Sequence, residues 1–335
     1  MKFSIKSFVK ISFFLALGFF FIWIFLRNLT EAQKQEIYQI FLGANYSWIL
    51  LSMVFGLLSH ASRTIRWIML LEPMGKKPHF LNTFLALIIA YFANLAVPRL
   101  GEVSRCGILQ RYEKIPFQKS FGTVVTERAL DLITFFITFV IAILWQWKNF
   151  SLIRETSVFK KFIEKYQAIL DSGWIQWVIL AMVLLIAFVL YRYRNKFAHF
   201  SIFQKIKGVV EGFVEGLKSL TKIKRPMWFI FHTIFIWTMY WIMTWVVFLS
   251  LPETSHLGLD VGLLVLAFGT IGIILVQGGI GIYPLLVAEV LMIFGIAKTT
   301  GYAMGWLLWS GQTLMVIVAG IISMILLPLL NKEMK

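Results

Sequence analysis

The sequence has very little charge. Only 14% of its 335 residues are Asp, Glu, Lys or Arg, whereas 59% are apolar, and a soluble domain carries about 25% charged residues. A soluble fold of this size could not cover so many apolar side chains, because a folded surface needs more charge than this. Intrinsic disorder is excluded for the same reason. The composition therefore predicts an all-α protein that crosses a membrane several times.

Acidic residues are scarcer than basic ones. The 32 Lys and Arg outnumber the 16 Asp and Glu, which gives a net charge of +16. In a soluble protein this excess would suggest a nucleic-acid partner. In a membrane protein it is typical of cytoplasmic loops, so we expect no nucleic-acid partner.

The chain has one cysteine, Cys106, and five histidines. One cysteine excludes a disulfide within the chain and a cysteine-based metal cluster. The histidines lack the HxxxH or HExxH spacing of metal sites. We also find no nucleotide-binding loop and no nucleophile–base motif in the sequence. We therefore expect no metal and no cofactor, and we favour transport or binding over catalysis.

Seven apolar runs are long enough to cross about 30 Å of hydrocarbon. They cover residues 9–26, 46–71, 80–98, 121–147, 174–193, 228–250 and 301–330. The stretch 261–296 differs, because residues 277–281 (QGGIG) divide it into two runs that are too short to span. The run 9–26 follows three lysines, as in a signal peptide, but no small-residue cleavage site follows it. We interpret it as an uncleaved first span.

The distribution of Lys and Arg predicts the orientation. If every run crosses the membrane, the loop 192–227 with nine Lys and Arg falls outside, against the positive-inside rule. If 80–98 instead enters from the cytoplasm and returns, and 261–296 dips in from outside, 23 Lys and Arg lie inside and 8 outside. Both termini and segment 99–119 are then cytoplasmic.

The two halves of this topology repeat each other. Adding 180 to the first-half numbers maps 46–71, 80–98 and 121–147 onto 226–251, 260–278 and 301–327, which are also apolar. Since the halves would face opposite ways, this predicts one transmembrane domain over 1–335, built from inverted repeats at about 1–147 and 174–335. Inverted repeats with paired broken helices are typical of transporters, which bind substrate near the midplane.

The first break is rich in Pro, Gly and charge, and residues 94–105 read NLAVPRLGEVSR. Pro98 disfavours helix at the preceding residue. Arg99 and Arg105 carry guanidinium groups whose forked geometry matches phosphate oxygens, and Glu102 can pair with Arg105. The candidate binding residues here are Asn94, Arg99, Glu102 and Arg105. A cytoplasmic loop with solvated charges is the alternative.

Charged residues also lie inside the predicted span 121–147. Glu127, Arg128 and Asp131 stand one to two turns into it, at helical i,i+3 and i,i+4 spacing. Ionisable groups in a span are costly and usually functional. We expect Arg128 to neutralise the two carboxylates and Arg105 to face a wet cavity with a ligand. A structural ion network, or snorkelling to the cytoplasmic face, is the alternative.

Two further regions contribute candidates. Arg63 and Arg66 share one face of span 46–71, although Arg66 with the adjacent Trp67 also suits a plain membrane interface. In the second break, free backbone amides at helix ends can bind an anion. The candidates there are Gln277, Gly278, Gly279 and Gly281. Glu289, in the helix that follows, is predicted to be buried and is a candidate protonatable residue.

Four of these runs together resemble a known family. They are SHASRTIRW (59–67), PRLGEVSR (98–105), ERALD (127–131) and GGIG (278–281). In this order they resemble the lysylphosphatidylglycerol synthase transmembrane-region family, a flippase-like family of bacterial and archaeal inner-membrane proteins, over nearly the whole chain. The resemblance implies that the signature positions are Arg66, Arg99, Glu102, Arg105, Glu127, Arg128 and Asp131. The chain departs from the family pattern at Gln277, where Pro is usual, and at Tyr283-Pro284, where many members have Glu nearby.

The resemblance implies a flippase-like protein that binds or translocates an anionic lipid or lipid-linked headgroup. Full synthases add a soluble aminoacyl-transferase domain, but this sequence ends just after its last span, so we do not expect the synthase chemistry. Two other functions stay open. One is a lipid-modifying or polyprenyl-phosphate glycosyltransferase-type enzyme, for which Glu253 and Asp260 are a candidate acidic pair in an outside loop. The other is a non-catalytic scaffold for a separately encoded enzyme.

Overall fold

The structure is a computed structural model that describes residues 29–97, 99–147 and 223–331, together with Trp23 and Arg27. Pro98, both chain termini, the predicted span 174–193 and, apart from Trp23, the predicted span 9–26 lie outside the described residues. All regular secondary structure in the described part is helical.

Nine α-helices follow one another in this part of the chain. They are α1 (Glu31–Gly43), α2 (Tyr46–Leu71), α3 (Phe80–Ala96), α4 (Leu100–Glu113), α5 (Phe117–Trp145), α6 (Pro226–Phe248), α7 (Leu259–Leu275), α8 (Ile282–Met292) and α9 (Lys298–Leu330). Four of them, α2, α5, α6 and α9, are long and apolar enough to cross a membrane. The predicted all-α membrane protein is confirmed.

Local signals in the sequence explain where several helices begin. Thr30 and Gln33 form a reciprocal capping box before α1. The Asn45 side chain accepts a hydrogen bond from the backbone N–H of Ser47 at the start of α2. Pro226 opens α6, at a position whose N–H has no partner within a helix.

Two pairs of short helices form hairpins, one in each half of the chain. α3 packs against α4, and α7 packs against α8. Arg99 joins the first pair with a φ of 64°, in the left-handed region that costs a side chain roughly 1–2 kcal/mol. Gly278, Gly279 and Gly281 join the second pair with φ of 70°, 72° and 75°, which glycine adopts without that cost. Both predicted breaks are therefore breaks between short helices.

The return segment of the first hairpin differs from the prediction. The sequence predicts that the chain returns after Pro98 and that 99–119 is cytoplasmic, whereas α4 runs back along α3 as a helix before it reaches that side. Only its far end reaches the beginning of α3, where Glu113 accepts a hydrogen bond from the backbone N–H of His79 at 3.1 Å. A helical return satisfies backbone groups that would otherwise be unpaired at membrane depth.

The two halves share one order of elements and exchange their hairpins. Each half has a long helix, a hairpin and a second long helix. α3 of the first half packs on α9 of the second, and α7 of the second half packs on α5 of the first. The hairpin of each half is thus held by the long helix that ends the other.

Equivalent helices run in opposite directions. Between α2 and α5 the contact pairs are Arg63–Asp131 and Trp67–Thr123, so the numbers rise along one helix and fall along the other. The same holds between α2 and α6, where the pairs are Asn45–Ser250 and Ser62–His232. Between α2 and α9 the pairs are Ile49–Gly311 and Gly56–Met315, so the numbers rise along both helices. α2 is therefore antiparallel to α5 and to α6 but parallel to α9. It follows that α5 and α9 are antiparallel, as an inverted repeat requires. The inversion across a membrane stays a prediction.

The core lies around the second hairpin. Residues 261–269 of α7 are all buried, which explains why this helix is apolar on every side. By contrast, α5 and α9 expose large apolar side chains such as Ile133 and Ile325. These outer surfaces suit contact with lipid tails.

Candidate functional site

A cluster of five charged side chains lies between α2, α4 and α5. Its members are Arg63, Arg66, Arg105, Glu127 and Asp131. Arg66 and Glu127 are 0% exposed, and Arg105 is 2% exposed. Glu127 stands ten residues into α5, about 15 Å along the helix axis. The cluster is therefore buried, and Glu127 lies well inside a helix that is long and apolar enough to cross a membrane.

Glu127 is the centre of this charge cluster. Its Oε1 accepts hydrogen bonds from Arg63 at 2.9 Å and from Arg66 at 3.4 Å. Its Oε2 accepts a hydrogen bond from Arg105 at 2.8 Å. One carboxylate on α5 thus binds two arginines of α2 and one of α4, which fixes the first hairpin against the bundle.

Asp131 completes the network one turn further along α5. Its Oδ1 accepts a hydrogen bond from Arg66 at 2.6 Å, and its Oδ2 accepts one from Arg63. The four-residue spacing of Glu127 and Asp131 places them on one face of α5, opposite the two arginines that are three residues apart on α2. Asp131 is 13% exposed, whereas Arg66 is 0% exposed, so the charge of Arg66 depends on its carboxylate partners.

An aromatic ring supports Arg105. The guanidinium carbon of Arg105 lies 4.5 Å from the centroid of Trp67, close enough for a cation–π contact. Trp67 is itself held by a hydrogen bond from its Nε1 to Thr123 Oγ1 at 2.9 Å. Trp67 is 0% exposed, so it packs inside the bundle and does not mark a membrane interface.

Helix α6 closes the cluster on another side. Arg63 donates a hydrogen bond to the hydroxyl of Tyr240 at 3.3 Å, and Arg66 donates one to Thr233 Oγ1 at 3.4 Å. Neither partner is predicted from the sequence. They come from the other half of the chain, and neither stands in a recognisable motif.

His60 is another neighbour of the charge cluster that is not predicted from the sequence. It lies one turn before Arg63 on α2, is 5% exposed and stacks on Tyr91 of α3 at 4.5 Å. Neither of its ring nitrogens has a hydrogen-bond partner among the described residues. The Nε atoms of Arg63 and Arg66 are likewise buried without a partner in this part of the chain. One side of α2 therefore carries three polar groups that are not fully satisfied.

The charges of the cluster do not balance. Three arginines face two carboxylates, which leaves one positive charge in excess. An uncompensated charge in a buried site is costly. The five groups therefore carry one net positive charge.

A second, more accessible group lies at the first break. Arg128 donates a hydrogen bond to Glu102 Oε1 at 2.8 Å, and its side chain is 45% exposed. Arg99 is also exposed. Asn94 Oδ1 accepts a hydrogen bond from the backbone N–H of Gly101 at 2.7 Å, so this side chain closes the beginning of α4.

Two predicted roles are wrong. Arg128 forms no ion pair with Glu127 or Asp131, because its position lies about 100° away from that of Glu127 around α5 and its side chain pairs with Glu102. Arg105 does not face a wet cavity or pair with Glu102, because it is buried and binds Glu127. The two arginines have exchanged the roles that spacing along the chain gave them.

The second break is held by a tryptophan. The backbone carbonyl of Gly278 accepts a hydrogen bond from Trp309 Nε1 of α9 at 2.6 Å. The 3₁₀ turn Gln277–Gly279 also contacts α3 of the other half. Anion binding by the backbone amides of Gln277, Gly278, Gly279 and Gly281 stays a prediction. Glu289 on α8 is half-buried, whereas the sequence predicted that it is buried.

The acidic residues of the predicted outside loop are differently placed. Asp260 Oδ2 accepts a hydrogen bond from Gln146 at 2.7 Å, whereas Glu253 is exposed. Asp260 thus has a partner in the fold, and this weakens the prediction of a catalytic pair. Among the described residues, no group of three His, Cys, Asp or Glu is suited to hold a metal ion.

Comparison with known proteins finds one matching family. The profile of the family described as lysylphosphatidylglycerol synthase TM region matches residues 8–320. The chain is 29% identical over 137 residues to the UPF0104 membrane protein MJ1595 of Methanocaldococcus jannaschii. That alignment covers 39% of this chain and 40% of the relative. No solved structure matches the chain.

Proposed function

The chain belongs to the lysylphosphatidylglycerol synthase TM region family, and we propose that it binds an anionic lipid or lipid-linked headgroup and moves it across the cytoplasmic membrane of a bacterium or archaeon. The observation that carries this proposal is the excess positive charge of the buried cluster. Three arginines and two carboxylates leave one positive charge without a matching carboxylate. A phosphate group supplies the missing negative charge.

The chemistry of the cluster favours a phosphate. Arginine binds phosphate through two N–H groups in a fixed fork, and these charge-assisted hydrogen bonds are among the stronger ones in proteins. Arg63 and Arg66 each keep a buried Nε–H without a partner. A headgroup oxygen that reaches them satisfies these donors and balances the charge of the cluster.

The first break offers an entrance to this site. Arg99 and Arg128 are exposed there, and Arg128 is bound only to Glu102 among the ion pairs of the described residues. A phosphate that displaces Glu102 gains two guanidinium partners, and the side chain of Glu102, which is 19% exposed, keeps some access to water. Binding at this entrance therefore costs less than opening the buried cluster.

The charge distribution supports the orientation. The end of the bundle where α2 ends and α6 begins has a groove lined by Glu72, Gly75, Lys76, Lys77, Lys224 and Arg225. Four basic residues against one acidic residue match a cytoplasmic surface under the positive-inside rule. In this orientation the 17 residues of α3 run inward from the cytoplasmic end, so the first break lies about 25 Å from that end.

Lipid binding in detergent tests the proposal. Native mass spectrometry of the purified protein with phosphatidylglycerol and phosphatidylcholine should show tighter binding of the anionic lipid. Arg99→Glu should weaken that binding about ten- to a hundredfold, because it loses a charged contact worth roughly 1.5–3 kcal/mol. Arg111→Glu is the matched control, since Arg111 is exposed on the same helix but lies three turns from the break. Equal affinity for both lipids, unchanged by Arg99→Glu, would contradict the proposal.

A non-catalytic scaffold is the second candidate. The observation in its favour is that the buried cluster is closed, since Arg66 and Glu127 have no exposed surface. A closed cluster can serve only to hold α2, α4 and α5 together. The same mass spectra separate the two candidates, because a scaffold of this kind retains no anionic lipid in preference to a neutral one.

A further inference from the structure

Two polar contacts hold the exchanged hairpins at their outer ends. In the first, which we term the α9 latch, Asn82 and Asn331 donate hydrogen bonds to each other's side-chain oxygens at 3.1 and 2.9 Å. Asn82 also donates to Glu113 Oε1 at 2.6 Å. Asn82 is 8% exposed and Asn331 is 9% exposed, so these amides depend on each other.

The second contact, which we term the α5 latch, has the matching position in the other half. Gln146 Nε2 donates to Asp260 Oδ2 at 2.7 Å, and Gln146 is 3% exposed. Gln146 follows the last residue of α5, as Asn331 follows the last residue of α9. Asp260 lies in the first turn of α7, as Asn82 lies in the first turn of α3.

The two latches lie at opposite ends of the bundle, because α5 and α9 run in opposite directions. Each joins the end of a long helix to the beginning of a hairpin that belongs to the other half. Each also uses amide groups that are costly to leave unpaired in a buried site. A hairpin can therefore move away from its long helix only after its latch has opened.

We propose that the two latches are the closing contacts of two gates, one toward each side of the membrane. This inference rests on the proposed transport function, which needs access to the charge cluster from either side in turn. Opening the α9 latch frees the first hairpin, which carries Arg105 and the first break. Opening the α5 latch frees the second hairpin and its glycine-rich break. With both latches closed, the structure is an occluded state.

Charge substitutions of equal size test the two gates separately. Asn331→Asp and Gln146→Glu each remove an amide donor and keep the volume. The first places a second carboxylate, after Glu113, against the amide of Asn82, and the second places one against Asp260. Reporter cysteines are Ser104→Cys on α4 and Thr270→Cys on α7, both half-buried, in a Cys106→Ser background. Labelling by a membrane-impermeant maleimide is measured from each side in right-side-out and inside-out vesicles.

Asn331→Asp should raise labelling of the first-hairpin reporter from the cytoplasmic side about tenfold, as expected when a buried hydrogen bond is lost. Gln146→Glu should do the same for the second-hairpin reporter from outside, and each variant should leave the other reporter unchanged. The two-gate proposal is overturned if neither variant changes the labelling of its reporter. It is also overturned if each variant changes the labelling of both reporters. If each variant changes only its own reporter but the protein moves no lipid, the gates are upheld and the transport function is refuted. The melting temperatures of Asn331→Ala and Gln146→Ala report how much stability the whole protein loses with each latch. They therefore separate the opening of a gate from general unfolding.

Discussion

Glu127 binds three arginines through its two oxygens, so it has more charged partners than any other side chain among the described residues. The sequence predicts the residue types of this site, because ionisable groups inside an apolar run are conspicuous. It does not predict the pairing. Spacing along α5 favoured Arg128 as the partner of Asp131, but the partners of Glu127 and Asp131 come from α2 and α4, which only the packing of three helices brings together.

Glu127→Gln should destabilise the fold strongly. It leaves three buried arginines with one carboxylate, and the loss of one partner from a buried pair costs roughly 3–5 kcal/mol. Glu102→Gln is the control, because its partner Arg128 is 45% exposed and an exposed pair contributes about 0–1 kcal/mol. Thermal unfolding in detergent measures both. Equal loss of stability in the two variants would show that the buried network does not hold the bundle together.

At the scale of elements, helix breaks are easier to predict than helix contacts. Pro98 and the glycines of 278–281 indicate both breaks, and α3 and α7 end within two residues of the predicted positions. The helix α4 was not predicted, since its mixed charges resemble a loop. Its burial becomes understandable only when Arg105 and its partner Glu127 are seen together.

The first hairpin depends on close approach at Gly101. A Cβ at this position would lie 2.1 Å from the backbone oxygen of Ala90, so a side chain must push α4 away from α3. Gly101→Ala should therefore destabilise the protein by about 1–3 kcal/mol and weaken lipid binding. Gly107→Ala on the same helix is the control, because nothing lies within 4 Å of its Cβ position and alanine favours helix. Melting temperatures that fall equally in both variants would contradict this packing.

At the scale of the whole molecule, the repeat of apolar runs predicts the order of the helices but not the exchange of hairpins. An offset of 180 residues describes sequence positions, whereas the packing of α3 on α9 and of α7 on α5 is a property of the folded bundle. The latch residues Asn82, Asn331 and Gln146 carried no signal in the sequence. They become noticeable once their matched positions are known.

The orientation of the molecule is tested by cysteine labelling. Lys114→Cys and Glu253→Cys are introduced singly in a Cys106→Ser background, and intact cells are treated with an impermeant maleimide. Position 253 should react, since Glu253 is exposed and lies in a loop without Lys or Arg. Position 114 should react only after the membrane is opened. Labelling of position 114 in intact cells would refute the cytoplasmic placement of this end of α4.

Transbilayer movement of lipid tests the central claim most directly. The protein is reconstituted into vesicles that contain a fluorescent phosphatidylglycerol or phosphatidylcholine analogue, and dithionite quenching reports the fraction in the outer leaflet over time. The account predicts that the anionic analogue moves faster than in protein-free vesicles and faster than the neutral analogue. It also predicts that Arg99→Glu slows this movement and that Arg111→Glu does not. The account is contradicted if neither analogue moves faster than in protein-free vesicles. It is also contradicted if both analogues move at the same rate and Arg99→Glu does not change that rate.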